Sequence, residues 1–531
     1  MFRNNAFFGS FDDRDQFAAR RAFMKLSGGC AALGSTSILS QLLNLKLTQA
    51  AYADEKVGSS AGTSDASGYK AMVCVFLNGG IDSFNVLTPY ENAEHATYTT
   101  VRATLARPKD QLLPIPVDIA SPGGRKLGVH NGMPEVQSLY NAGKLAFLAN
   151  VGSLVVPTTK TTYTNGTARK PLGLFSHADL IQHWQTSVPQ SRSQASGWGG
   201  RMADLLTTDH NPSGLISMNI ALGSLNIFQT GSQVLPYVVS SSGATLPSGY
   251  NKNNTVGANH DKIHNLVLNG STGLNGIYPP ADSALGALYS DLLQRSLARA
   301  KRTGIDAAQT FFDNTDNSGT GPAGGVLPTA ITTPFSSIAA DTTIPSGVRS
   351  FAANLLMVAR VINARNAFSQ TRQLFFISLG GWDHHDNLLT NQALMLPGVS
   401  KALSAFYNAT VQLGVPDRVT TFTASDFGRT LSANSTGSDH AWGGNHMIMG
   451  GAVGGGKVYG SYPQSLALNG ALDVGRGRLV PTTSVDEYNA ELATWFGISN
   501  NSMLTDILPN LRNFYQEGSS SRPIGFLPSG V

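Results

Sequence analysis

A mostly parallel α/β sheet is the fold class this sequence predicts, because three short apolar runs each end on a carboxylate. Residues 71–77 (AMVCVFL) lead into Asn78-Gly79-Gly80-Ile81-Asp82. Residues 373–379 (QLFFISL) lead into Gly380-Gly381-Trp382-Asp383-His384-His385, and residues 418–424 (RVTTFTA) into Ser425-Asp426. Runs of this length, rich in β-branched and aromatic residues, read as buried strands. Strand-like and helix-like segments alternate from residue 71 onward, which favours a layered architecture. In open α/β sheets the ligand site lies outside the carboxyl ends of the strands. Three acids at one sheet edge, with imidazoles beside them, point to a metal-dependent hydrolytic centre.

The first element is a targeting segment, set apart from the fold. Arg20-Arg21, an apolar pair two residues on, Lys25, a weakly apolar stretch over 26–45 and Ala51-Tyr52-Ala53 follow the order of a twin-arginine export signal with its cleavage site. Residues 1–53 are therefore expected to be removed and 54–69 to form a flexible leader. A single domain is expected over 70–531, with insertions near 230–275 and 313–346. Those two stretches are rich in Gly, Ser, Thr, Asn and Pro and read as surface excursions.

Further strands are expected at 145–150 and 215–222. Helices are expected at 134–142, 177–186, 283–302, 348–367, 400–413 and 482–496, the last behind an N-cap at Thr482-Thr483-Ser484.

Composition narrows the function classes. The chain has 531 residues, 41% hydrophobic and only 13% charged, enough to bury a large core under a surface of small polar residues. Removing residues 1–53 takes away six Lys/Arg and three Asp/Glu, leaving 31 basic and 30 acidic residues and a formal charge of +1. That balance gives no footprint for nucleic acid. Beyond the leader no apolar stretch is long enough to span a bilayer. Cys30 lies in the export signal and Cys74 in the first strand, so the mature chain can form no internal disulfide. Such a chain suits folding in the cytoplasm before translocation, with the twin-arginine translocase as partner and the periplasm or exterior as destination.

Six of the eleven histidines fall in three short windows, His177/His183, His384/His385 and His440/His446. Carboxylates and imidazoles bind divalent ions at about 2.0–2.2 Å. Asp383 and His385 share a tight turn after a strand, so one of the adjacent His384 and His385 is expected to stand behind the other. Asp426 ends another strand. Asp439-His440 and His446 sit in a Gly-rich loop able to bend back over the edge. Ser176 is a natural N-cap, and the same place offers a hydroxyl at a positive helix end beside His177. Arg429 is read either as a partner for an anionic substrate oxygen or as a salt bridge fixing its loop. No strand leads into a G-x-S-x-G elbow for a serine-hydrolase triad, since the match Gly58-Ser59-Ser60-Ala61-Gly62 falls in the leader. Residues 451–457 mimic a phosphate-binding loop, but Val458 stands where its Ser/Thr is needed. A redox enzyme would need a Cys cluster or a dinucleotide fingerprint, and neither is present.

The motifs resemble a known family. The twin-arginine leader, Phe76-Leu77-Asn78-Gly79-Gly80-Ile81-Asp82-Ser83-Phe84-Asn85 with Pro89-Tyr90, Ser176-His177 with Trp184, and Gly381-Trp382-Asp383-His384-His385 carry the likeness. So do Ser425-Asp426-Phe427-Gly428-Arg429-Thr430, Asp439-His440, Gly450-Gly451 and Val458-Tyr459-Gly460. Together they resemble the bacterial exported family called domain of unknown function 1501, over nearly the whole mature chain and in the family's order. That family is similar to the alkaline phosphatase and sulfatase superfamily. The resemblance implies a three-layer sandwich with a mostly parallel central sheet and up to two divalent ions (zinc, manganese, magnesium or calcium).

Carried over, Asp82 and Ser176 would share one ion with Asp426, while Asp383, His385 and His440 (or His446) would hold the other. Asn85, His177, His384 and Asp439 are the supporting or alternative ligands. The family usually has Glu at the place of Asp426 and Gly at the place of Ser83, so Asp426 is one methylene shorter. The expectation is an exported, metal-dependent hydrolase of phosphate or sulfate esters with Ser176 as nucleophile. The alternative is a non-catalytic envelope protein of the same fold that binds a polymer or protein partner.

Overall fold

The computed structural model describes residues 68–121, 123–244, 292–315, 326–498, 501–515 and 522–528. The export signal, nearly all of the leader, and residues 245–275 and 316–325 of the two proposed insertions lie outside the described residues. The strands are β1 (Lys70–Leu77), β2 (Leu87–Pro89), β3 (Leu112–Pro116), β4 (Lys126–His130), β5 (Leu145–Gly152), β6 (Asn219–Leu222), β7 (Tyr237–Val239), β8 (Arg372–Leu379), β9 (Val419–Ser425), β10 (Gly444–Met449), β11 (Val458–Gly460) and β12 (Thr483–Ser484). The helices are α1 (Asn92–Arg102), α2 (Pro134–Asn141), α3 (Lys160–Thr164), α4 (His177–Thr186), α5 (Trp198–His210), α6 (Leu292–Thr315), α7 (Thr329–Ala340), α8 (Ser346–Asn363), α9 (Leu388–Gln412), α10 (Val485–Phe496) and α11 (Asn501–Ile507).

A nine-stranded sheet runs in the order β11-β5-β10-β9-β1-β8-β6-β7, with β12 also on β5. Only β10 is antiparallel to its neighbours, so the sheet is mostly parallel. All eight residues of β1 are buried, as expected for a strand covered on both faces. Its side chains alternate between two cores. Ala71, Val73, Val75 and Leu77 meet α7, α8 and α9, while Met72, Cys74 and Phe76 meet α5 and α10. Helices therefore cover both faces of the sheet. A small antiparallel sheet, β2-β4-β3, stands apart.

The three strands that end on acids are neighbours, with β1 between β9 and β8. Their ends are level: Leu77 pairs with Leu379 on one side and with Ser425 on the other. The reversed strand β10 begins at this same edge, bringing Gly444 and the loop before it alongside.

Several elements differ from expectation. The strand expected at 215–222 shortens to Asn219–Leu222. The helix expected at 400–413 starts at Leu388 and runs through Pro397. Tertiary packing overrides the break there, since a Cβ on Gly398 would stand 2.7 Å from both Ile344 Cγ2 and Val348 Cγ1. Residues 283–291 of the helix expected at 283–302 lie outside the described residues, and the helix Leu292–Thr315 continues past the expected end. Residues 313–346 were expected on the surface, yet α7 buries Ile331, Phe335 and Ile338 in the core that also holds α8 and α9. Residues 237–239 likewise form the β7 edge of the main sheet. His446, placed by sequence in a loop, lies inside β10.

Candidate metal centre at the strand ends

The loop after β1 is locked to the end of β9 before any catalytic group is considered. Ser425 donates its hydroxyl to the Leu77 carbonyl (2.6 Å) and accepts from the Ile81 N–H (3.0 Å). The Gly79 N–H donates to Asp426 Oδ1 at 3.0 Å. Gly79 has a φ of +123°, and a Cβ there would lie 2.6 Å from the Asp383 nitrogen. Only glycine lets the β1 and β8 loops approach so closely.

Beyond β9 the chain doubles back. Arg429 and His440 form a β-bridge, flanked by Thr430 N–H to Asp439 O (2.9 Å) and Ala441 N–H to Gly428 O (2.9 Å). That fold-back places Asp439 and His440 over the sheet edge. The helix α4 brings His177 from the other side.

Three imidazoles and one carboxylate converge there. His440 Nε2 lies 3.1 Å from His177 Nε2, 3.0 Å from His385 Nε2 and 3.3 Å from Asp383 Oδ1. Asp383 Oδ1 is 3.0 Å from His385 Nε2, and Asp383 Oδ2 is 3.3 Å from His177 Nε2. His177, Asp383 and His440 each offer a ligand atom, all within 4.8 Å of one another.

The opposite ring nitrogens each face an acceptor. His177 Nδ1 lies 2.7 Å from Asp426 Oδ2, His440 Nδ1 lies 2.8 Å from the Phe175 carbonyl, and His385 Nδ1 lies 3.3 Å from Asp439 Oδ1. A carbonyl and a carboxylate only accept, so a proton on Nδ1 of each ring satisfies these partners while Nε2 points into the cluster. Three Nε2 atoms and a carboxylate thus face one another.

A divalent ion fits the set His177, Asp383 and His440, with His385 beside it. Adjacent ligands on a four-coordinate ion with bonds of about 2.0–2.1 Å stand about 3.3 Å apart, close to the observed separations. A carboxylate or carbonyl behind each imidazole is the usual support for a metal-ligating histidine.

The electrostatics favour the binding forms of Asp383 and His440. Burial pushes the Asp383 carboxyl pKa up, but the hydrogen bond and charge of Arg429, with His385 and His177, outweigh it and the net direction is down. Burial first, then the charges near it, lowers the His440 pKa against the pull of the Phe175 carbonyl. Burial also raises Asp439, and Arg476 with Asn434 and His385 reverses it. The cluster opens to solvent, with Asp383 43% and His385 46% exposed, while Asp426 and Arg429 lie fully buried beneath it.

The remaining sequence-predicted residues fall in other places. Asp82 is buried and ion-paired to Nη2 of Arg102 on α1, and Arg102 Nη1 donates to the Thr430 carbonyl. Asp426 meets His177 and the Gly79 N–H, so it stands behind an imidazole. Asn85 accepts from Tyr98 and donates to the Leu105 carbonyl, holding the loop after β1. His384 is buried beside Trp382, and burial lowers its pKa. His446 packs between Trp184 and Tyr488, away from the cluster, and burial lowers its pKa to about 3.

Ser176 occupies the N-cap position of α4 without capping the helix, and its hydroxyl faces the Asp179 carboxyl, which Arg192 chiefly holds. Arg429 Nη1 donates to Asp383 (2.6 Å) and the Gly79 carbonyl (3.4 Å), and Nη2 to the Ser438 carbonyl, so the loop-fixing role is the one the geometry gives it.

Sequence reasoning missed Arg102 and the Phe175 carbonyl. It also placed His177 only among supporting or alternative ligands, whereas its Nε2 stands in the cluster itself. Phe175 takes a left-handed φ of 78°, rare for a bulky residue, and no local sequence signal announces it.

Fold and site together define an α/β protein with imidazoles and a carboxylate gathered at the carboxyl ends of three adjacent parallel strands. Residues 321–506 match the model of the family described as "Protein of unknown function (DUF1501)", the same family that the motifs resemble. That stretch carries Asp383, His385, Asp426, Arg429 and His440, while Asp82 and His177 lie upstream of it. No curated protein matches the chain. Among solved structures, the lipoteichoic acid synthase LtaP from Listeria monocytogenes is similar at 9% identity and a TM-score of 0.25. The match covers 72% of this chain and 61% of the LtaP chain, so this chain spans less than two thirds of that structure's length.

Proposed function

We propose that this chain is an exported, metal-dependent hydrolase of phosphate or sulfate esters, of the alkaline-phosphatase-like three-layer type. One divalent ion would be held by Asp383, His440 and His177, with His385 at its side. The observation that carries the reading is the gathering of the His177, His385 and His440 Nε2 atoms around the Asp383 carboxylate, each ring with an acceptor at its Nδ1. A bound ion of this kind supplies Lewis-acid chemistry at an ester oxygen. Three imidazoles and one carboxylate suit zinc better than magnesium or calcium.

One ion, rather than two, fits the residues. The second position implied by the family would draw on Asp82 and Asp426. Both are buried, Asp82 against Arg102 and Asp426 behind His177, and neither joins His177, Asp383 and His440 in the ligand group. Ser176 directly precedes His177 at the positive end of α4, and in this reading it offers the attacking hydroxyl. Residues 1–53 would address the chain to the twin-arginine translocase.

The test is metal content of the purified chain together with turnover of p-nitrophenyl phosphate and p-nitrophenyl sulfate. The expected result is about one zinc per chain and hydrolysis of one ester class, both lost in His440→Ala, with turnover but not zinc lost in Ser176→Ala. Zinc with turnover unchanged in Ser176→Ala removes the serine from the mechanism. No metal uptake and no turnover in the parent protein would leave the non-catalytic envelope reading in its place.

A further inference from the structure

We propose that Arg478 binds the anionic oxygens of the substrate, which makes the substrate an ester that keeps its negative charge beside the bond that breaks. The inference rests on the metal-dependent hydrolase reading above. Its ground is the segment Gly475-Arg476-Gly477-Arg478, a feature of the sequence that the metal centre does not absorb.

The segment is held in an unusual backbone conformation. Gly475, Arg476 and Gly477 all take left-handed φ values, of 117°, 62° and 72°. Two are glycines, for which this costs little, and the third is an arginine, for which it is uncommon. A buried carboxylate fixes the turn: Asp473 Oδ1 accepts from the N–H groups of Gly475 (2.7 Å) and Gly477 (2.8 Å), and Oδ2 from that of Asn469 (2.7 Å). The Gly477 and Arg476 carbonyls accept from the N–H groups of Leu431 (3.3 Å) and Ser432 (3.2 Å). A Cβ on Gly477 would lie 2.4 Å from Leu431 Cβ, so the turn needs glycine there for space as well.

What this turn presents is a pair of guanidinium groups on consecutive residues of the metal centre. Arg476 Nη1 reaches Asp439 Oδ2 at 2.5 Å and completes the support of His385. Arg478 Nε donates to the His440 carbonyl at 3.2 Å, and its guanidinium lies over the Phe175 ring, 4.7 Å from the centroid. Among the described residues nothing accepts from Nη1 or Nη2 of Arg478, and the side chain is only half-buried.

Stacking and one hydrogen bond therefore fix the plane of the group beside His440 and leave its outer donors free. A planar fork held in this way is suited to bidentate recognition of an oxyanion. Arg429 cannot serve, since it is fully buried and its donors are taken by Asp383, Gly79 and Ser438.

Inorganic phosphate binding to the zinc-loaded full chain, measured by titration calorimetry with zinc content determined on the same samples, tests the proposal. Arg478→Gln should weaken phosphate binding by about tenfold or more while keeping the parent zinc content, and Arg478→Lys should recover part of the loss. Lys144→Gln removes the same charge before β5, at the opposite edge of the sheet, and should bind phosphate like the parent. Equal phosphate binding by Arg478→Gln and the parent overturns the proposal. So does a zinc-bearing parent with no affinity for phosphate. A parent that takes up no zinc fails the metal reading by that separate measure, and the role given to Arg478 falls with it.

Discussion

Asp426 is fully buried and joins two parts of the site through its two oxygens, one to the Gly79 N–H and one to His177 Nδ1. Its carboxylate meets His177 Nδ1 and so orients the ring with Nε2 toward the cluster. Asp426→Asn keeps an acceptor for one of these partners but removes the charge, and its amide presents a donor where one of them needs an acceptor. The expected result is zinc affinity weaker by about 10–100-fold with the folded state retained, read by competition with a chelator. Unchanged affinity would remove His177 from the ligand set. The acids at the strand ends were legible from sequence because strand and carboxylate adjoin in the chain. The pairings Asp426–His177 and Asp82–Arg102 were not, because nothing in local spacing says which distant helix returns to a given edge.

Elements with a complete local signal were read closely. The segment Ser484-Val485-Asp486-Glu487 has the pattern of a capping box, and Ser484 Oγ does accept from the Glu487 N–H (3.1 Å) while Glu487 Oε2 accepts from the Ser484 N–H (2.8 Å). The helix it starts, α10, packs Tyr488, Leu492 and Phe496 against the sheet face opposite α8. Ser484→Ala should cost about 1 kcal/mol of stability, seen as a lower Tm in the metal-free protein, with zinc stoichiometry unchanged. A variant as stable as the parent would show that packing alone starts this helix. The core helix α7 was misread for the converse reason. Its Ile331, Phe335 and Ile338 follow helical spacing, but Pro334 and the threonines and serines around them carry the composition of a loop.

Among the described residues four buried histidines lie outside the ligand cluster, and burial lowers the pKa of each: His384 in direction, His130 to about 3, His183 to about 4 and His446 to about 3. Between these values and the ordinary 6.5, the unfolded chain takes up protons that the folded chain refuses, so stability falls as pH drops below 6.5. Each such imidazole contributes up to about 1.4 kcal/mol per pH unit in that window. Two buried carboxyls work the other way. Burial pushes the Asp486 and Glu487 pKa values up, and stability falls as pH rises above their ordinary values of 3.8 and 4.5. The net curve therefore mixes both signs, and a difference between two proteins isolates one group. His446→Phe keeps an aromatic ring between Trp184 and Tyr488 and removes one titrating imidazole. Urea unfolding of metal-free parent and variant from pH 7 to pH 5 should then show a shallower loss in the variant, by about one proton at the acid end. Parallel curves would mean that His446 takes up a proton in the folded chain as readily as in the unfolded one, and its burial would have to open to water.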